Sequence, residues 1–173
     1  MTTPERSPAV HVRLARPEEY PLIGDLVADT YLKEGFAAGS YVETLRDAAK
    51  RAAEADLLVA VDHDEKILGT VTYAAGGTPW ADVSELDEAG FRMLAVAPDA
   101  RRRGVGETLV GACIERARGQ GKERLVMSTQ STMAAAHRLY ERLGFVRAPE
   151  RDWSPMPGHD LRVYAMDLAP SDQ

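Results

Sequence analysis

The stretch Leu94-Ala-Val-Ala-Pro-Asp-Ala-Arg-Arg-Arg-Gly-Val-Gly-Glu-Thr-Leu109 constrains this chain more than any other. It reads as an apolar strand stopped by Pro98, a compact basic turn, and the start of an amphipathic helix. The turn spells Arg101-x-x-Gly104-x-Gly106. Glycine lets backbone come close to a ligand and tolerates positive φ. The first amides of the following helix have no internal acceptor and point along the positive end of the helix dipole. Such a terminus binds phosphate oxygens, and Arg102 and Arg103 add charge beside Arg101. The ligand class this turn fits is a diphosphate held mainly by N–H groups. A plain basic glycine turn between strand and helix is the other reading. No Gly-Lys-Ser/Thr follows, so the turn is not a P-loop. Leu109 stands where a dinucleotide fingerprint needs its third glycine.

The elements around it follow from periodicity. Val10 to Ala15 alternate, with Val10, Val12 and Leu14 facing one way, which predicts a half-buried strand. Pro17, Glu18 and Glu19 suit a helix start, and Leu22, Ile23, Leu26 and Val27 give that helix an apolar face ending near Tyr31. A second helix is expected from about Tyr41 to Ala55, with Glu43, Arg46, Asp47, Lys50, Arg51 and Glu54 as a solvated face. Leu57–Val61 and Ile67–Tyr73 flank a polar turn and read as a hairpin. After a glycine-rich loop and an acidic stretch from Trp80 to Ala89, Phe91–Val96 is the next strand. A helix runs from Glu107 to about Gly119, then a short strand at Leu125–Met127 and a helix at Met133–Leu143 closed by Gly144. Strands at Phe145-Val146 and Leu161–Leu168 finish the order, separated by a loop from Pro149 to His159. The order β-α-α-β-β-β-α-β-α-β-β predicts a mixed sheet of about seven strands with helices on both faces, an α/β fold of the α+β type.

A length of 173 residues suggests one domain, placed at 10–169 behind a loose tail at Met1–Ala9, since domains run to ~150 residues. The 45% apolar and 28% charged fractions match a packed globular chain rather than a disordered one. The net charge of −6 argues against nucleic acid as the partner and mildly favours a cationic one. No apolar run approaches the ~20 residues that span a bilayer, and the N-terminus lacks an apolar signal region. With Cys113 as the single cysteine no internal disulfide forms, which fits the cytoplasm. Cys113 falls on the apolar stripe of its helix and reads as a structural thiol. The four histidines show no metal-ligand spacing, so no metal is expected.

A second motif, Ala136-His-Arg-Leu-Tyr140-Glu-Arg-Leu-Gly144-Phe145, lies one strand and one helix beyond the basic turn. With Leu94-Ala-Val-x-Pro98 and Arg101-x-x-Gly104-x-Gly106, it makes the chain resemble the GNAT superfamily of N-acetyltransferases. The specific motifs span Phe91 to Phe145, and the element order extends the likeness from Val10 to Leu168. The resemblance implies a mostly antiparallel sheet splayed between its fourth and fifth strands, with acetyl-CoA in the wedge as cosubstrate. It implies cofactor contacts from Leu94, Ala95 and Val96, and from Arg101, Arg102, Arg103, Gly104, Val105, Gly106, Glu107 and Thr108. It also implies an amine acceptor, with a homodimer as an open possibility at the sheet edges.

The implied chemistry is direct transfer: a neutral amine attacks the thioester and a thiolate leaves. Tyr140 occupies the family's position for the proton donor to that thiolate; by spacing alone it reads as a core aromatic beside Ala136, Leu139 and Leu143. In the family a glutamate on or before the fourth strand often serves as base. Glu88 is the nearest candidate, with Glu85 and Asp87 as alternatives, and a solvated acidic loop is the competing reading. Gly90 stands where a carboxylate is expected. Met133 replaces an asparagine common in the family, a loss for which Thr129, Gln130 or Ser131 compensates. Trp80, Trp153 and Tyr31 are expected to ring the acceptor opening, and His137 to take a surface or supporting role. A non-catalytic acyl-CoA sensor is the alternative to an enzyme, and a nucleotide-binding protein a third reading.

Overall fold

The computed structural model describes residues 10–33, 35, 39–130, 133–155, 157 and 160–168. The expected tail at 1–9, Ser131, His159 and the domain end at Ala169 lie outside the described residues. Seven strands form one sheet: β1 (His11–Leu14), β2 (Asp56–Val61), β3 (Ile67–Ala75), β4 (Glu88–Val96), β5 (Arg124–Gln130), β6 (Val146–Arg147) and β7 (Leu161–Asp167). Their order across the sheet is β1-β2-β3-β4-β5-β7-β6. Every pairing is antiparallel except β4 with β5. That parallel pair needs a crossover, and α4 (Val105–Gly119) supplies it.

Helices cover both faces. On one, Leu109, Val110, Cys113 and Ala117 of α4 pack with Leu58, Val71 and Phe91 of the sheet. Tyr140 of α5 (Ala134–Leu143) joins the same cluster. On the other, Ile23 and Val27 of α1 (Tyr20–Lys33) meet Leu57, Val59, Met93 and Ala95. Cover on both sides explains why β2 is a continuous apolar run rather than an alternating one. Cys113 is fully buried, and burial pushes its thiol pKa up. Among the described residues no helix is long and apolar enough to cross a membrane.

Three expectations need correction. The single helix at 41–55 is two, α2 (Tyr41–Arg46) and α3 (Ala48–Glu54), broken at Asp47. Asp47 leaves helical geometry and its side chain accepts from the Lys50 amide, capping α3. Arg51, expected on a solvated face, is fully buried; its Nη1 donates to the carbonyls of Thr44 and Leu45 at 2.8 and 2.9 Å and so caps α2. Leu14, expected inward, is 51% exposed, because β1 is a four-residue edge strand paired only with β2.

Candidate functional site

The sheet opens where the resemblance predicts. β4 and β5 pair at three positions only, Glu88 with Arg124, Ala89 with Leu125 and Gly90 with Val126. Beyond them β4 follows β3 to Val96 while β5 follows β7 to Gln130. Met93 has φ +58, in the left-handed region, and the β3–β4 register shifts between Thr70 and Thr72. A bulge of this kind bends and twists its strand, which turns β4 away from β5. Gly90 marks the fork, since a Cβ there would lie 2.7 Å from the Val126 carbonyl oxygen and 2.8 Å from Ser84 Oγ. The expectation of a carboxylate at this point therefore fails on space alone.

The wedge is a cleft of about 420 Å³. Leu94 and Phe91 line it from β4, Met127 and Thr129 from β5, and Tyr140 from α5. Leu94 and Ala95 thus part company: Leu94 faces the cleft, while Ala95 is buried against α1. Val96 points with Leu94 into the α4 side.

The basic turn stands at the end of β4. Arg102 and Gly104 take φ +66 and +75, and Gly104 precedes the first residue of α4. Nothing lies within 4 Å of where a Gly104 Cβ would project. Among the described residues, the amides of Arg102 to Glu107 donate to no protein acceptor; the first used is that of Thr108, to the Gly104 carbonyl at 3.0 Å. The Thr108 hydroxyl is spent on that same carbonyl. Arg101, Arg102 and Arg103 are exposed, Val105 is core, and Glu107 lies 3.6 Å from Arg142. Gly106 sits between Val96 and Leu139, so the turn abuts the helix that carries Tyr140. The arrangement suits a ligand with a diphosphate at one end and an extended arm in the wedge.

Tyr140 is a core aromatic that also reaches the cleft. It is 4% exposed, with its ring edge-on to Phe91 at 5.8 Å and to Phe145 at 5.9 Å. It also lines the cleft, and its hydroxyl has no hydrogen-bond partner among the described residues. Burial, reinforced by the neighbouring Tyr31 phenol, raises its pKa, so the proton stays on at neutral pH.

Glu88 is not where a base must be. Its carboxylate is fully buried and accepts from the Glu85 amide at 2.9 Å, Arg124 at 2.8 Å and two nitrogens of Arg151. Burial alone raises a carboxyl pKa, but these hydrogen bonds outweigh it and hold the group at about 2. Glu88 does not line the cleft. Its assignment as catalytic base is corrected: it is an ion-pair hub. Glu85 and Asp87 are exposed and do not line the cleft either.

Trp80, Trp153 and Tyr31 do line the opening. Met133 lines it as well, with its sulfur 3.5 Å from Thr129 Oγ1. His137 faces Gln130, its Nε2 lying 3.0 Å from that carbonyl. Missed in the sequence were Asp82, Arg92 and the buried Arg51. Arg92 lies in a strand read as core, and the signal was a lone charge inside an apolar run. Its guanidinium lies over the Trp80 ring at 5.2 Å and bonds Asp82.

Comparison with known proteins agrees with this geometry. Residues 21–145 match the model of the acetyltransferase (GNAT) family. The chain is 39% identical over 87 residues to a ribosomal protein bS18-alanine N-acetyltransferase of Salmonella typhimurium, covering 49% of this chain and 59% of that one. It is 35% identical over 89 residues to an L-methionine sulfoximine/L-methionine sulfone acetyltransferase of Pseudomonas paraeruginosa, covering 51% and 49%. The chain thus matches about half the length of these relatives. In fold it is similar to an acetyltransferase of the GNAT family from Staphylococcus aureus, with TM-score 0.76, 14% identity and coverage of 93% and 100%. It is also similar to a Salmonella typhimurium protein solved with its cofactor acetyl-CoA, with TM-score 0.67, 20% identity and coverage of 93% and 95%. A family match over most of the chain, on a forked sheet with a basic glycine turn at its end, shows that the chain belongs to the acetyltransferase (GNAT) family.

Proposed function

We propose that the chain is an N-acetyltransferase that moves the acetyl group of acetyl-CoA to an amine by direct transfer. The observation that supports it most is the largely buried Tyr140 side chain lining the wedge between β4 and β5, its hydroxyl without a hydrogen-bond partner among the described residues. The residues present fit acetyl-CoA. The free amides of Arg102 to Glu107 and the adjacent arginines suit its diphosphate, and the unpaired edge of β4 suits the amide groups of its arm. When bound, it supplies an acetyl thioester; the acceptor nitrogen forms the N–C bond as the C–S bond breaks. Tyr140 holds at its Oη the proton that the departing sulfur takes up. The displaced amine proton passes to solvent in the cleft, from which the Tyr140 phenolate takes up a proton again. Among the described residues Asp82 is the one carboxylate there, and Arg92 already holds it. A reducing cytoplasm suits the single buried cysteine.

The relatives' names support an amine acceptor: one is named for an alanine of ribosomal protein bS18, the other for L-methionine sulfoximine and L-methionine sulfone. The test is thiol release from acetyl-CoA across an amine panel. Tyr140→Phe is expected to lower turnover by ~10²–10⁴-fold while calorimetry shows acetyl-CoA binding retained. Binding without thiol release from any amine would make the chain a sensor instead.

A further inference from the structure

Two charged side chains line the cleft among the described residues, Asp82 and Arg92. They do not cancel fully. Asp82 takes Nη1 of Arg92 alone, and Nη2 has only the Tyr41 hydroxyl at 3.4 Å, a long contact. Trp80 supports one face of the guanidinium, and the side chain stays 25% exposed. That leaves Nη2 with spare donor capacity on a side chain that lines the cleft.

Behind it lies a second cation. Arg51 is fully buried, and its Nε and Nη2 have no partner among the described residues. The groups that act on it electrostatically are Tyr41, Tyr31, Asp47 and Arg92. Asp47 is the one acid of the four, and its carboxylate caps the Lys50 amide. A buried cation without a contacting counter-ion is costly, and an anion nearby offsets that cost. One cleft group shares that polarity: among the described residues Trp153 Nε1, a donor only, is buried without a partner, as is Ser84 Oγ, which can donate or accept. The charged groups of the cleft thus leave an arginine donor idle while the carboxylate is engaged.

We infer that the acetyl acceptor is a small amine bearing a carboxylate, of the free amino-acid class, whose carboxylate binds Arg92. The inference rests on acetyl transfer at this cleft. It reverses the cationic preference that net charge suggests, because local donors rather than total charge face the ligand. Arg92 and Tyr140 line the same cleft, so an anion on Arg92 is held in the cavity that the Tyr140 side chain faces. The planar guanidinium fork recognises a carboxylate with two donors, which lysine cannot copy.

Matched acceptors test this: free amino acids, their carboxamides, and short peptides with free N-termini, each with wild type, Arg92→Ala and Arg92→Lys. Wild type is expected to prefer the free acids by about 10–100-fold in kcat/KM, the worth of a charged hydrogen bond. Arg92→Ala should erase that preference by raising KM for the acids, and Arg92→Lys should restore part of it. Calorimetry with N-acetyl amino acids and their carboxamides needs no turnover. Binding of the acid form alone, lost in Arg92→Ala, supports carboxylate recognition even if acetyl transfer itself fails. Equal use of acids and carboxamides, a preference for peptides, or an equal loss on both in Arg92→Ala overturns it.

Discussion

Arg151 grips Glu88 with two donors, Nη2 to Oε1 at 2.8 Å and Nη1 to Oε2 at 3.0 Å. The same Nη2 also donates to the Val83 carbonyl at 2.6 Å. Glu88 begins β4 and accepts from the Glu85 amide, so the pair ties the loop carrying Asp82 and Ser84 to the segment carrying Trp153. Both walls of the cleft opening thus hang on one buried carboxylate.

Removing that carboxylate leaves two guanidinia facing each other. Glu88→Gln is expected to cost about 3 kcal/mol, the low end for breaking a buried ion pair, because Arg124 and Arg151 keep some access to water. Urea denaturation measures it. A wild-type midpoint in the variant would show that the hub carries no stability.

The same group sets an acid limit. The Glu88 carboxyl is held at about 2, as is that of Asp152 beside Arg147, both below their unfolded values. A depressed folded pKa adds stability that is complete above the unfolded pKa and is lost as pH falls toward the folded one. Stability is therefore expected to drop from about pH 4.5 down to about pH 2. Thermal melts across that range should show a shallower slope in Glu88→Gln.

Gly90 has no room for a side chain. Gly90→Ala sets a Cβ against the Val126 carbonyl at the last β4–β5 pair, and backbone there has to move. A cost of about 1–3 kcal/mol is expected, as for overpacked sites. Acetyl-CoA affinity should weaken with it, because the fork of the wedge shifts. Denaturation and calorimetry on one preparation read both.

Gly104 has room but the wrong torsion for a branched residue. At φ +75, Gly104→Val carries about 1–3 kcal/mol of strain and projects a side chain over the free amides of the turn. Acetyl-CoA binding by calorimetry should be lost. Gly104→Asn, which tolerates left-handed backbone, should retain part of it. Normal affinity in the valine variant would remove the turn from the binding site.

Much of this protein was legible in its residues because the signals are local. Turn glycines and helix stripes depend on neighbours in the chain, and they led to the element order; the two motifs around Gly104 and Tyr140 led to the family resemblance, which implied the forked sheet. The break at Asp47 was missed because helical periodicity continues across it, and a single capping carboxylate overrides that periodicity. β4 begins at Glu88 rather than Phe91, since Glu88–Gly90 gain their ladder from outside the segment, from Arg124–Val126 of β5 and from Ala74 and Ala75 of β3.

Charge shows the division most plainly. Glu88, Arg51 and Arg92 are all hydrophilic letters, and sequence made them a base, a solvated residue and part of an apolar strand. Folding made them an ion-pair hub, a buried cap and the charged wall of a cleft. A side chain's chemistry belongs to its type, but its partners, its solvent and hence its work are set by groups remote in sequence. Only the packed structure brings those together.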